Sequence, residues 1–346
     1  MISAPPDWQT VSEVLSAARH ALPKQLWDAA SGGSGRESTL RRNRQAFDAI
    51  RLRPRVLTGV NSADLTATFA GHNLAHPILL APVGEIALFH PGGAAAVAEA
   101  ATQSGTAAFI GAVSSPSLEE VRAAGDAPLA FQLYMFGDSE QMTELTARAE
   151  AAGYQAICLT VDTPVSGRLE RDLRNRLQLP PRPRPNFTNQ PGAYQGGLLT
   201  WKDVDRLRAA TSLPLILKGI LCAEDALLAV EHGADAICVS NHGGRQLEGA
   251  PASIEVLPEI ASAVGGRAEL ILDGGITSGV DVVRALALGA STVLVGKLMV
   301  LALAAGGAAG VVRVLELLRA EVATTLVNLG VATLKELGPE QIWTSR

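Results

Sequence analysis

Residues 223–245 read AEDALLAVEHGADAICVSNHGGR. Ala223 to His232 mixes apolar and charged residues at helical spacing. Gly233 then supplies the left-handed cap that lets a helix end and the chain turn back. Ala236-Ile237-Cys238-Val239 follows, an apolar run with no polar face. Such a run fits a strand covered on both sides, as in a parallel sheet. It ends in Ser240-Asn241-His242-Gly243-Gly244-Arg245, which is polar and glycine-rich. Helix, glycine, buried strand and polar turn form one unit.

The unit recurs from residue 77 onward. Apolar runs stand at Ile78–Ala81, Ala107–Ile110, Leu129–Phe131, Ala156–Leu159, Leu215–Leu217, Ala236–Val239, Leu270–Leu272 and Val293–Val295. Between them, helices are predicted over Ala95–Gln103, Leu118–Ala124, Ser139–Ala152, Ala223–His232, Ile254–Val264 and Gly279–Leu288. Gly105-Thr106, Gly153-Tyr154, Gly233-Ala234 and Gly289-Ala290 are the same joint four times. Eight such units predict an α/β chain, a (β/α)8 TIM barrel over 77–320 with an N-terminal helical lead-in over 1–76. A doubly wound sheet is the alternative, but no G-x-G-x-x-G follows the first strand. The whole of 1–346 then forms one domain. The Pro-, Gly- and Asn-rich stretch 179–197 breaks the rhythm and is expected to be a long mobile loop on the active face.

Composition narrows the function classes. The chain has 346 residues, 29 Lys plus Arg against 34 Asp plus Glu, and a net charge of −5. No strongly basic patch stands out, so no nucleic-acid partner is expected. Mean hydropathy is +0.20, yet the most apolar uncharged stretch, 298–312, holds Gly306-Gly307. It is shorter than the roughly 20 residues a membrane span needs, and reads as a buried segment after a barrel strand. The N-terminus lacks the basic and apolar regions of a secretory leader. Cys158, Cys222 and Cys238, with no C-x-x-C, give neither a disulfide framework nor a metal site. A reducing cytoplasm is the expected location.

In a barrel, chemistry collects at the C-terminal ends of the strands. Those ends carry Gln132 and Tyr134, Thr160 and Asp162, Lys218, Ser240 to Arg245, Asp273-Gly274-Gly275, and Gly296-Lys297. His242 beside Arg245 suits proton abstraction from a substrate held by its carboxylate. Asp162 would orient His242 and raise its basicity, and Lys218 could neutralise charge developing on a cofactor. The glycines after the seventh and eighth strands either cradle a phosphate or only make tight turns. His20, His72, His76, His90 and His232 have no such company and read as structural or solvated.

Ser240-Asn241-His242-Gly243-Gly244-Arg245-Gln246-Leu247 closely resembles the signature of the FMN-dependent 2-hydroxy acid oxidases and dehydrogenases. The likeness extends over nearly the whole chain, through Leu22-Pro23-Lys24, Asn43 with Phe47, Pro54-Arg55, Ala81-Pro82 and Ser114-Ser115. It continues through Gln132-Leu133-Tyr134, Leu159 to Pro164, Lys218-Gly219-Ile220, Asp273 to Ile276, Leu288-Gly289-Ala290 and Val295-Gly296. The 179–197 loop and Gly32-Gly33-Ser34 look most like bacterial hydroxymandelate oxidases.

The resemblance implies FMN across the barrel mouth. Val83, Gly84, Ser114, Gln132, Thr160 and Ser240 would meet the flavin, and Lys218 would lie beside the ring position that gains negative charge on reduction. Asp273 would bind the ribityl chain, with Gly275, Gly296 and Lys297 at the phosphate. His242 would be the base, Asp162 its partner, Arg245 the carboxylate clamp and Tyr134 a donor to the substrate. No metal is implied. The acceptor would be O2 or another electron carrier, and a homo-oligomer is expected.

The departures from the family pattern are Ala29, where a tyrosine is usual, and Leu169, where a second arginine is usual. Thr277 replaces a phosphate-holding arginine and Gly84 the more common alanine. Arg168 would stand in partly for the missing arginine. With Ala29 and Leu169 vacated, a bulky or aromatic, mandelate-like 2-hydroxy acid is the expected substrate, or a non-standard natural-product intermediate. An FMN-dependent isopentenyl diphosphate isomerase is disfavoured, because it does not need His242 with Arg245. A flavin-binding protein without turnover is disfavoured for the same retained pair.

Overall fold

A computed structural model of the chain describes residues 6–136, 139–177, 184–187 and 199–343. The lead-in forms three helices, α1 (Val11–Ala21), α2 (Lys24–Ser31) and α3 (Ser38–Ala49), then an antiparallel hairpin of β1 (Ala67–Phe69) and β2 (His72–Leu74). Eight parallel strands follow: β3 (Ile78–Leu80), β4 (Ala108–Gly111), β5 (Leu129–Leu133), β6 (Ala156–Thr160), β7 (Leu215–Ile220), β8 (Ala236–Val239), β9 (Glu269–Asp273) and β10 (Thr292–Val295). They pair in chain order and β10 closes on β3, which makes the barrel. Between and after them run α4 (Gly93–Ser104), α5 (Leu118–Ala123), α6 (Ser139–Ala151), α7 (Glu170–Arg174), α8 (Trp201–Ala210) and α9 (Ala223–Glu231). α10 (Ser253–Val264), α11 (Gly279–Ala287) and α12 (Lys297–Leu329) complete the set.

The period of two along each strand sorts side chains between two cores. Leu79, Phe109, Ala130, Cys158, Ile216, Cys238, Ile271 and Leu294 fill the barrel interior. Phe69 and Leu74 of the hairpin join this cluster, with the Phe69 and Phe109 rings 5.4 Å apart. The alternate residues, such as Leu80, Phe131, Ile157, Leu217 and Val295, face the helices. One more step of two beyond the interior layer reaches Gly111, Gln132, Thr160, Lys218, Ser240, Asp273 and Gly296. The pleat alone therefore aims these side chains into the mouth. The four glycine joints all take the left-handed conformation, with φ of 64°, 86°, 80° and 112° at Gly105, Gly153, Gly233 and Gly289.

α12 is, among the described residues, the helix long and apolar enough to cross a bilayer. It is broken at Gly306 and Gly307, where φ is −149° and 60°, and it packs on α1, α4 and α11. Those contacts make it a core helix of the barrel wall. After it the chain returns to the lead-in, where Arg53 N–H donates to the Gln341 carbonyl at 2.8 Å and Trp343 N–H to the Arg51 carbonyl at 2.8 Å. Of the expected 179–197 loop, only 184–187 lie inside the described residues. There the Asn186 side chain accepts from Leu118 N–H at 2.7 Å and donates to the Ala112 carbonyl at 2.9 Å.

Cys158 and Cys238 are buried free thiols, and burial pushes Cys158 up to about 12, which leaves it inert as a thiolate. His76 is buried too, and its imidazole is pushed down to about 4 by burial and by Arg319. Gly279 begins α11 where it meets α12. A methyl there would sit 2.5 Å from the Leu318 carbonyl, the Val322 nitrogen and the Glu321 Cβ. Gly279→Ala is expected to cost about 1–3 kcal/mol by forced overpacking, read as a lower urea midpoint at unchanged slope.

Candidate active site

The turn after β8 sets the geometry of the site. His242, Gly243 and Gly244 all lie in the left-handed region, with φ of 57°, 62° and 74°. For His242, which carries a Cβ, this conformation is unfavourable and must be imposed by its surroundings. Asn241 imposes it from below. Its side-chain oxygen accepts from Gly244 N–H at 3.1 Å, and its amide nitrogen donates to the Pro251 carbonyl at 2.9 Å. Asn43 of α3 locks Asn241 through a buried reciprocal amide pair, at 2.9 Å and 2.6 Å. Ser240 Oγ accepts from His242 N–H at 3.0 Å. Gly244 has no room for a side chain, because a Cβ would stand 2.7 Å from the Leu40 nitrogen. Ser34 N–H donates to the Gly244 carbonyl at 2.8 Å, and a Cβ on Gly33 would sit 2.8 Å from the same oxygen.

So held, the His242 ring joins two partners. Nδ1 lies 3.0 Å and 3.2 Å from the two Asp162 oxygens, and Nε2 lies 3.4 Å from the Tyr134 hydroxyl. Burial works against the Asp162 charge, but His242 and Lys218 outweigh it and hold the carboxyl below the usual range. An ionised Asp162 takes the Nδ1 proton as its hydrogen bond, which leaves Nε2 as the basic nitrogen. Gly219 makes this approach possible: its φ is 116°, and a Cβ there would fall 2.5 Å from that of Asp162.

Lys218 is buried on the barrel axis, where Nζ lies 3.0 Å from Asp273 Oδ2 and donates to Ser240 Oγ at 3.0 Å. Burial opposes its charge, but Asp273 and Asp162 win and hold the ammonium above its ordinary pKa. Among the described residues Asp273 Oδ1 is buried with no hydrogen-bond partner. Such an oxygen costs free energy unless a ligand hydroxyl meets it. The Gln132 amide donates to Thr160 Oγ1 at 2.9 Å and Ser114 Oγ to the Val83 carbonyl at 3.1 Å, forming one wall. Gly84 belongs to that wall because of Val113, whose methyl would lie 2.6 Å from a Cβ at residue 84.

At the other end of the mouth, Lys297 Nζ donates to the Gly243 carbonyl at 2.7 Å. Burial, with Arg245 adding to it, pushes this ammonium down to about 7. Among the described residues this partly buried cation has no carboxylate within salt-bridge distance, and Gly275 and Gly296 lie on the neighbouring strand ends. The orphaned Asp273 oxygen and the anion-seeking Lys297 together fit a ligand with a hydroxylated chain and a phosphate. These are the residues that would hold FMN.

Two lead-in residues to which the sequence assigns no role brace this end, although Asn43 belongs to the family likeness. Asn43 is the first. Arg44 is the second: it donates to the Gly275 carbonyl at 2.7 Å and to Thr277 Oγ1 at 2.8 Å, and pairs with buried Asp281 at 2.6 Å. A signal did exist, since Thr39, Asn43, Ala46 and Phe47 share the buried face of α3 and an amide interrupts it.

Arg245 Nη1 donates to the carbonyls of Ala29 at 2.7 Å and Gly32 at 3.3 Å. Burial lowers its pKa against the pull of Asp172, whose own carboxyl burial holds above the usual range. Arg168 is exposed, and its carbonyl accepts from Gly35 N–H at 2.9 Å. Its side chain borders a cavity of about 610 Å³ with Gly167, Leu169, Asp172 and Leu173. The structure thus gathers His242, Asp162, Tyr134, Lys218, Ser240 and Asp273 into one contact network, and leaves Arg168 on the rim.

The profile described as FMN-dependent dehydrogenase matches residues 18–344. The chain belongs to this family. Glycolate oxidase of Spinacia oleracea is 42% identical over 349 residues, 96% of this chain and 95% of that protein. L-lactate oxidase of Nostoc sp. is 43% identical over 94% of this chain and 95% of its own length. Among solved structures, mandelate oxidase with benzoyl-formic acid superposes with a TM-score of 0.91 at 43% identity, covering 98% of both chains. The protein is an FMN-dependent oxidoreductase acting on a 2-hydroxy acid.

The Lys297 environment generates a pH dependence. A phosphate beside Nζ favours the charged form, so above pH 7 binding must take up a proton. FMN affinity of the apoprotein should therefore fall as pH rises from about 7 to 9, by up to about tenfold per unit. Quenching of flavin fluorescence measures it, and Lys297→Met should flatten the profile.

Proposed function

We propose that the protein oxidises a bulky, aromatic 2-hydroxy acid to the 2-oxo acid, with O2 as electron acceptor. The observation that carries this reading is the Asp162–His242–Tyr134 chain, with Arg245 on the same loop, no aromatic ring at Ala29 and no charge at Leu169. FMN, when bound, supplies the two-electron acceptor for the hydrogen leaving the substrate's second carbon. The rest is done by side chains. Arg245 takes the substrate carboxylate, using the N–H groups that Ala29 and Gly32 leave free. Tyr134 donates to the substrate and orders it against His242. His242 Nε2 accepts the proton from the 2-hydroxyl, and Asp162, ionised at Nδ1, stabilises the imidazolium that results. Lys218 keeps a fixed positive charge on the barrel axis, where negative charge arises on reduction.

The aromatic preference rests on Ala29 and Leu169, which give room and apolar surface where the family pattern has a tyrosine and an arginine. The structural likeness to mandelate oxidase bound to benzoyl-formic acid supports it. The oxidase names of the relatives support O2.

Anaerobic mixing should bleach the flavin faster with mandelate than with lactate. An equal or reversed order contradicts the aromatic preference, and bleached enzyme that stays reduced in air contradicts O2. His242→Gln should slow bleaching by about 10²–10⁴-fold, as loss of a positioned base does, while FMN remains bound with its visible spectrum.

A further inference from the structure

Arg245 takes its direction from a peptide bond between two glycines. Its Nη1 donates to the Gly32 carbonyl at 3.3 Å and to the Ala29 carbonyl at 2.7 Å. The Gly32 oxygen and the Gly33 N–H belong to one planar unit, so holding the N–H fixes where the oxygen points. With glycine on both sides, that plane turns more freely than an ordinary peptide. Glu37 restrains it, because its Oε1 accepts from Gly33 N–H at 3.1 Å. Arg171 of α7 restrains Glu37 in turn, donating from Nη2 to Oε2 at 2.6 Å. The same guanidinium donates from Nη1 to Ser31 Oγ at 3.2 Å, and its stem lies over Gly32, where a Cβ would sit 3.3 Å from Arg171 Cδ. Arg171 thus brackets the turn at Ser31, Gly32 and Gly33 that Arg245 leans on. With leucine at 169, the substrate carboxylate falls to Arg245, and a planar fork holds a carboxylate well only when it is aimed.

We propose that Arg171 is a positioning residue for substrate binding: through Glu37 and the Gly32–Gly33 peptide it sets the plane in which Arg245 meets the carboxylate. The inference rests on the reading of Arg245 as carboxylate clamp given above. Its effect falls on affinity for the acid and not on the transfer of hydrogen. His242 is oriented independently, by Asp162 and by the Asn43–Asn241 pair.

The test titrates the FMN-loaded enzyme with two 2-oxo acids, benzoylformate and pyruvate, and reads binding from the shift of the visible flavin spectrum. Arg171→Met should weaken binding by about tenfold, while the limiting rate of anaerobic bleaching changes less than about threefold. Unchanged binding overturns the proposal, as does a slower rate at unchanged affinity. Glu37→Met separates bracing from charge. Removing an anion tightens binding of an acid if charge alone acts, whereas loss of the brace weakens it by about tenfold. Tighter or equal binding overturns the proposal. In an Arg245→Met background, Arg171→Met should change binding less than about twofold, since the two act through one contact. A full loss that persists there overturns action through Arg245. If Arg245→Met alone leaves binding intact, the clamp reading fails instead. If neither acid shifts the spectrum of the unaltered enzyme, the oxidase reading fails, and these patterns tell the failures apart.

Discussion

The site depends on a backbone conformation that its own sequence resists. His242 can reach Asp162 and Tyr134 because residues 242–244 run left-handed, and a histidine does not hold that conformation unaided. The Asn43–Asn241 amide pair supplies the restraint, and it joins α3 of the lead-in to the turn after β8. Both amides are buried and each satisfies the other, so neither carries the penalty of an unpaired polar group. The lead-in is thus half of the site. It also delivers the Ala29 and Gly32 carbonyls to Arg245 and the Arg44 guanidinium to Gly275.

A second constraint is charge. Lys218, Asp273 and Asp162 meet near the axis of an apolar barrel, where an isolated charge would be far too costly. Lys218 satisfies one oxygen of Asp273 and leaves the other bare. Lys297 is held down by its surroundings and by Arg245, against the weaker pull of Asp273 and Glu37. Both features are unfavourable in the protein alone and favourable with a polyhydroxylated phosphate ligand, which is how a site pre-organised for FMN stores its affinity. The buried cysteines nearby add volume and, with their thiols protonated, no reactivity.

The barrel was legible because its rule is local. Short apolar runs marked all eight barrel strands, four of them behind a glycine joint, and each overlaps its run within a few residues, whereas the hairpin β1–β2 carried no such run. The His242–Asp162 partnership was legible from strand ends alone, since the pleat fixes which residues face the mouth. The bracing roles of Asn43 and Arg44 were not, although Asn43 belongs to the family likeness, because their contacts are about 200 residues away in sequence and form only after the barrel closes. The reason for Gly84 is likewise non-local, because it is Val113 that leaves no room for a Cβ there. Arg168, which the resemblance offers as a partial stand-in for the missing arginine, is exposed beside the site.

The central claim is that the lead-in amide fixes the catalytic imidazole. Asn43→Ala removes one half of the pair and touches neither His242 nor the residues around Arg245. The decisive measurement is the limiting rate of anaerobic flavin reduction in this variant, alongside its affinity for the competitive product benzoylformate. The account predicts a rate at least about tenfold lower, with product affinity changed less than about threefold. A rate equal to that of the unaltered protein would contradict it.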